Sequence, residues 1–201
     1  MSENFDSKSK TWDQHQYRVE RAQVVARAIE SKIPLSEVKT ALDFGCGTGL
    51  LGLNLADAVG HIVLSDTSPG MIEQVNQKLR TVRNASTLLL ASDDLGRSFD
   101  LIVSLMVLHH IEDVGKQIAC LSNAVEPGGY ICLCDLDKED GSFHQEETVP
   151  HNGFERVFIE TLLTKSGMKI MDSSTVYTNR KTTKGEEREF PVFMIIGRKS
   201  L

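Results

Sequence analysis

The run Ala41-Leu42-Asp43-Phe44-Gly45-Cys46-Gly47-Thr48-Gly49-Leu50 constrains the fold more than any other stretch of this chain. Apolar residues and one Asp lead into Gly-x-Gly-x-Gly, and an apolar stretch follows. The pattern reads as a strand that ends in a glycine turn and opens a helix, the place where open α/β sheets bind nucleotide-like ligands. Side chains at these glycines would block a ligand's approach to the backbone, and positive φ is available there without steric penalty. A dinucleotide fingerprint places its third glycine three residues after the second, where helix and strand close around a pyrophosphate. This chain has Leu50 at that position and its third glycine one residue earlier, at Gly49. Asp43 adds a negative charge two residues before the first glycine, which suits a cationic ligand better than a pyrophosphate.

Further pieces follow in order. Asp66 ends the apolar run His61-Ile62-Val63-Leu64-Ser65-Asp66, 17 residues after Gly49. Thr67-Ser68-Pro69-Gly70-Met71 comes next, with Ser68 placed as an N-cap and Pro69 at a first helical position. Then come Ser98-Phe99-Asp100-Leu101-Ile102-Val103-Ser104, Leu108-His109-His110-Ile111-Glu112-Asp113 and the turn Pro127-Gly128-Gly129-Tyr130.

Over residues 40–137 this series resembles the class I S-adenosylmethionine-dependent methyltransferases. The resemblance implies an α/β, Rossmann-like three-layer sandwich with a seven-stranded, mostly parallel sheet and an antiparallel last strand. It implies S-adenosyl-L-methionine as cofactor and S-adenosyl-L-homocysteine as product. Carried onto this chain, Gly45, Cys46, Gly47, Gly49 and Leu50 surround the amino acid end of the cofactor, and Asp43 draws on its ammonium group. Asp66 takes the ribose hydroxyls, Thr67 and Met71 pack against the adenine, and Asp93 or Asp94 contacts its exocyclic amine. A solvated turn accounts for those two aspartates as well. Ser104 and His109, at the end of the fourth strand, complete the expected cofactor contacts.

The chain of 201 residues is expected to form one domain. Within it, residues 1–33 are a lid segment and helix, 40–137 the cofactor-binding core, 138–153 a polar substrate-side insertion, and 154–201 a last helix and two strands. Residues 1–10 are expected to be frayed, and a helix is expected from Thr11 to Ile33 on the spacing of Val19, Ala22, Val25, Ala26 and Ile29. Strands are expected at 39–44, 61–66, 87–90, 101–105 and 130–136. Helices are expected from the glycine loop to Val59, at 69–82, 114–125 and 154–166, and a charged link from Asn179 to Glu189 between strands at 170–177 and 190–198. Apolar runs alternating with amphipathic helices indicate a parallel sheet covered on both faces.

A net charge of −6 without a Lys/Arg block argues against nucleic acid as partner. No apolar stretch approaches the roughly 20 residues that span a bilayer, and with Met1 to Lys10 polar no secretory leader is expected. With four cysteines in no framework spacing, the expected location is the cytoplasm. Cys132 and Cys134 share one strand face and read as core packing rather than metal ligands. Asp135, Asp137 and Asp140 are weak ground for a hard cation, and no metal is expected.

His109, His110 and His151 are the candidate catalytic groups, although imidazoles in such positions also serve as backbone hydrogen-bond partners. His151 and Phe154 are placed towards the substrate, with a helix cap and its hydrophobic anchor as the other reading. Trp12, the single Trp, is placed on a lid over the cofactor or as an ordinary aromatic dock. Residues Ser104 to Val107 lack the Asn/Asp-Pro-Pro-aromatic motif of enzymes that methylate exocyclic or amide nitrogens. The expected partner is therefore a small-molecule methyl acceptor, methylated on O, N or S. Two other readings stay open: a cofactor-binding protein without transferase activity (a sensor or activating subunit), and a nicotinamide-dependent oxidoreductase.

Overall fold

The computed structural model of the chain describes residues 2–91, 95–144, 148–183 and 185–201, with side chains from residue 5 onward. Its centre is one sheet of seven strands: β1 (Thr40–Phe44), β2 (His61–Asp66), β3 (Ala85–Leu89), β4 (Phe99–Leu105), β5 (Val125–Leu136), β6 (Met168–Thr183) and β7 (Glu186–Lys199). The order is β3-β2-β1-β4-β5-β7-β6. The first five strands pair in parallel, and β7 enters antiparallel between β5 and β6. The expected Rossmann-like sandwich, mostly parallel with an antiparallel end, is the observed fold.

Among the described residues six α-helices accompany the sheet: α1 (Ser2–Lys8), α2 (Gln16–Lys32), α3 (Leu50–Leu55), α4 (Pro69–Lys78), α5 (Val114–Asn123) and α6 (Arg156–Lys165). Successive strand residues alternate between two apolar layers, as strand geometry requires. Ala41, Leu101, Val103, Cys132 and Cys134 join the layer that includes Val25 and Ile29 of α2. Leu42, Ile102, Ile131 and Leu133 join the layer with Ile118 of α5 and Ile159 of α6. Cys132 and Cys134 thus sit in the core, their sulfurs 4.0 Å apart. No helix among the described residues is long and apolar enough to cross a membrane.

The differences from expectation have local causes. Residues 2–8 form α1 rather than a frayed end, because Asp6 reaches the start of α4 and is held there. The expected helix from Thr11 breaks into a 3-10 turn at Ser9–Gln14 and then α2, with His15 extended between them. That break lets Asp13 bond Thr48 in the glycine loop. The strand expected as buried at 87–90 is β3, a half-buried edge strand with Leu89 49% exposed. The charged link from Asn179 to Glu189 is mostly strand. β6 and β7 run on as a ribbon in which Arg180 opposes Glu189 and Lys181 opposes Arg188.

Candidate functional site

The C-terminal ends of β1, β2 and β4 open onto a cavity of about 890 Å³, near the upper end of the ~300–1,000 Å³ usual for small-molecule sites. Its floor is the glycine loop. Gly45, Gly47 and Gly49 have φ of 69°, 55° and 82°, the left-handed region that favours glycine. At Gly45 a Cβ would lie 2.5 Å from Val107 Cγ2, so a side chain here would also have to displace Val107. The Cys46 N–H donates to the Ser65 carbonyl at 2.8 Å, which ties the loop to the end of β2.

Two carboxylates shape this half. Asp66 accepts the Gly47 N–H at 2.8 Å on one oxygen and the Ser68 N–H at 2.9 Å on the other. Burial pushes its pKa above the usual carboxylate value, although these N–H groups oppose the shift. The Thr67 N–H also draws on this carboxylate, and what is left of its roughly four acceptor positions is available to a hydroxyl group from the cavity that Asp66 lines. Asp43 is 1% exposed and accepts the Gly52 N–H at 2.8 Å. Burial pushes its pKa up to about 7, against the Gly52 bond and with the added repulsion of Asp66. A cradle of positive-φ glycines between two acceptor carboxylates fits a cofactor with an amino group and a ribose.

The N-terminal segment covers this half. Ser68 accepts the Met71 N–H at 3.1 Å as N-cap of α4, and donates its own hydroxyl to Asp6 at 2.5 Å. Asp6 also accepts the Gly70 N–H at 2.8 Å, placing a carboxylate where a helix N-terminus favours negative charge. A second tie joins Asp13 to the Thr48 hydroxyl (2.5 Å) and to Lys78 (2.6 Å). Between them Trp12 faces the cavity, with the Arg18 guanidinium 3.6 Å above its ring centroid.

The other half is built from distant parts of the chain. His109 and His110 lie in a single turn after β4, and His144 approaches them from the 138–153 segment. His109 Nδ1 lies 2.6 Å from Asp135 Oδ1, and its backbone N–H donates to Oδ2 at 3.2 Å. Burial raises the Asp135 pKa, but the charge and hydrogen bonds of His109 outweigh it and the net shift is downward. Burial, then repulsion from His109 and His144, lowers His110 to about 3, so its imidazole is neutral at ordinary pH. Opposite, Arg21 of α2 is 7% exposed and donates from Nη1 to Asn179 Oδ1 at 2.8 Å. Its Nε has no hydrogen-bond partner among the described residues, and burial pushes its pKa down to about 10. Lys8 and Lys181 also line this half. Met106, a non-glycine residue at φ 61°, forms part of the wall.

Of the residues singled out in the sequence, Trp12, Asp43, Gly45, Cys46, Gly47, Leu50, Asp66, Thr67, Met71, His109 and His110 line the cavity. Four do not. Gly49 faces α3 and α4, where a Cβ would meet Leu53 and Val75. Ser104 is buried between strands and donates its hydroxyl to the Phe44 carbonyl at 3.0 Å, so it braces β4 against β1. Phe154 is a core residue, 4% exposed. His151 lies behind the histidine turn, with its N–H on the His109 carbonyl and Nε2 3.2 Å from the Glu112 carbonyl. Nor does His151 cap α6, whose N-cap is Glu155. Asp93 and Asp94 lie outside the described residues.

Asp135, Asp137 and Asp140 do not converge. Asp135 is on His109, Asp137 on Arg156 and Asp140 on Arg188. The sequence reading missed Arg21 and His144. Arg21 was detectable as a charge one turn before Val25 on an otherwise apolar helix stripe. His144 carried no local signal.

A family model described as a methyltransferase domain matches residues 14–168. An uncharacterised methyltransferase of Schizosaccharomyces pombe is 34% identical over 115 residues, covering 51% of this chain and 40% of that protein. A ubiquinone biosynthesis O-methyltransferase of Hydrogenovibrio crunogenus is 28% identical over 112 residues, 53% of this chain and 46% of that protein. The chain thus spans less than half the length of either relative. Among solved structures, a chain of the complex between the Haloferax volcanii Trm112 methyltransferase activator and a methyltransferase superposes with a TM-score of 0.77. It is 16% identical, with 98% of each chain covered. Magnesium protoporphyrin IX methyltransferase of Synechocystis, solved with S-adenosylhomocysteine bound, gives 0.72 at 19% identity, covering 91% of this chain and 83% of that one. Likeness at these identities is likeness of fold.

Proposed function

From a chain that belongs to the methyltransferase-domain family, with S-adenosylmethionine as its cofactor, we propose methyl transfer to an oxygen, nitrogen or sulfur of a small anionic molecule. When bound, the cofactor supplies a methyl group on a sulfonium, a centre already activated for displacement. The protein's task is to align the two reactants and exclude water. In this reading Gly45 and Gly47 hold the amino acid end through their backbone, Asp43 faces the ammonium group, and Asp66 turns its remaining acceptor positions to the ribose. Trp12 closes over the cofactor, held in place by the Asp6 and Asp13 ties on either side.

The observation that carries the choice of acceptor is Arg21. The Arg21 guanidinium is buried with Nε unpartnered among the described residues and only the more distant attraction of Asp135 among carboxylates, so a ligand that supplies negative charge would stabilise it. It lines the same cavity as the glycine loop, with Lys181 and Lys8 adding positive charge. A carboxylate or phosphate on the acceptor answers that need. The three imidazoles then form the wall beside the nucleophilic atom.

Calorimetric titration with S-adenosylhomocysteine, with NADH as control, tests the cofactor half. The acceptor half is tested by turnover on a panel of hydroxy, amino and thiol compounds with and without a carboxylate or phosphate. Arg21→Gln is expected to raise KM for the anionic members at least tenfold while leaving cofactor affinity in place. Equal turnover of neutral and anionic acceptors would overturn the assignment.

A further inference from the structure

The cavity carries one arrangement that methyl transfer alone does not require. One ring nitrogen each from His109, His110 and His144 lies within 4.8 Å of the other two. The ring centroids are 4.1 Å apart for His109–His110, 5.0 Å for His109–His144 and 5.4 Å for His110–His144. His109 is oriented from behind. Asp135, wholly buried, holds its Nδ1 at 2.6 Å and is itself held by the Leu136 N–H at 2.7 Å. A carboxylate on Nδ1 selects the tautomer with the proton there and the lone pair on Nε2. That Nε2 is buried and has no hydrogen-bond partner among the described residues. A carboxylate behind an imidazole that packs against two further imidazoles matches the outer-sphere arrangement of histidine metal sites.

We propose that His109, His110 and His144 bind a first-row transition-metal dication of the zinc type, with Asp135 orienting His109. A donor set of three imidazoles suits zinc, cobalt, nickel or copper, whereas magnesium and calcium take oxygen ligands. Three protein ligands leave a fourth position open. Here that position faces the cavity, where an anionic heteroatom of the acceptor would lie. This last point rests on the methyltransferase reading, but metal binding itself does not. Nitrogens bound to a tetrahedral ion at roughly 2.0–2.1 Å lie about 3.4 Å apart. From the present spacing of up to 4.8 Å, binding would draw the half-buried rings of His110 and His144 towards His109, which Asp135 holds.

The test uses the full chain stripped with a chelator and then dialysed free of it. Zinc chloride is titrated by calorimetry, and cobalt(II) chloride by visible absorption. Near one equivalent of zinc is expected to bind at micromolar or tighter Kd. Cobalt should give d–d bands that zinc displaces, and magnesium no heat. His110→Ala and His144→Ala, both at half-buried positions and checked for folding by circular dichroism, should each weaken zinc at least tenfold. Asp135→Asn should weaken it about 10–100-fold, and His61→Ala on β2 should leave it unchanged. Absence of zinc heat and cobalt bands, or affinity unaltered in both His110→Ala and His144→Ala, overturns the site. Titration of the same stripped protein with S-adenosylhomocysteine separates the two readings. Cofactor binding without zinc removes the metal site alone, whereas zinc binding without cofactor binding supports the site and removes the methyltransferase reading.

Discussion

Asp43 offers the sharpest test of the electrostatics of the glycine cradle. Its carboxyl group is 1% exposed, and burial takes its pKa from 3.8 to about 7. In the unfolded chain it ionises near its ordinary value, so between those two pH values the native state keeps a proton that the unfolded state has released. Stability from this group is fully present below the lower pKa, falls as pH rises through the window, and levels off above about pH 7. About three pH units at roughly 1.4 kcal/mol each amount to some 4 kcal/mol, to order of magnitude, a large part of the ~5–15 kcal/mol that holds a typical domain. Asp43→Asn keeps the shape and an acceptor for the Gly52 N–H, but does not titrate. Urea unfolding of both proteins at a series of pH values, without ligand, isolates the effect of Asp43 and of its coupling to Asp66, because titrations of groups that do not sense Asp43 cancel in the difference. The stability of the variant minus that of the parent should rise by roughly 4 kcal/mol between about pH 4 and pH 8. A constant offset, with parallel curves for the two proteins, would refute the reasoning whatever the size of that offset.

Asp66→Asn places an amide where one of two N–H groups now finds a carboxylate oxygen, and should weaken S-adenosylhomocysteine by about 1–3 kcal/mol. Unchanged affinity by calorimetry would remove Asp66 from the cofactor site. Gly45→Ala, strained by its φ of 69° and by the approach to Val107, should lower stability by about 1–3 kcal/mol, read as a lower urea midpoint. Because Trp12 is the single Trp and lines the cavity, its emission should change on saturation with S-adenosylhomocysteine. An unaltered spectrum in a protein that binds by calorimetry would end the lid assignment. Asp6→Ala should release α1 from α4, so that limited proteolysis trims the N-terminal segment faster than in the parent. Equal trimming rates would mean that the Asp6 tie does not hold it.

The parts of the fold that could be read from sequence are those whose signals are local. Apolar runs at 40–44, 61–66 and 101–105 are strands because strands buried on both faces need apolar residues throughout. The glycine spacing located the cavity floor for the same reason: positive φ and close approach leave a mark at each position. The outer ribbon of β6 and β7 was harder to see, since its charged residues are solvated and carry no apolar pattern. α1 is a helix of 7 residues, too short to persist without the contact Asp6 makes with α4. His151-Asn152-Gly153-Phe154 looks like a helix entrance, yet backbone bonds to His109 and Leu136 place it elsewhere. The acceptor half depends on proximities that no local pattern encodes. Arg21 meets Asn179 across 158 residues, and His144 reaches His109 across a whole strand and helix.

The strand order has a consequence for how the chain is made. Among the described residues β6 pairs with the sheet through β7 alone, and of the seven strands β7 is made last. The five parallel strands and the glycine cradle can assemble while β6 still waits for its strand partner. Asn179 and Lys181, which ride on β6, reach their places only when the 14 residues of β7 slot in beside β5. A nascent chain could therefore engage its methyl donor before it has a complete pocket for anything to methylate. A stop codon within β7 would strand two strands rather than one.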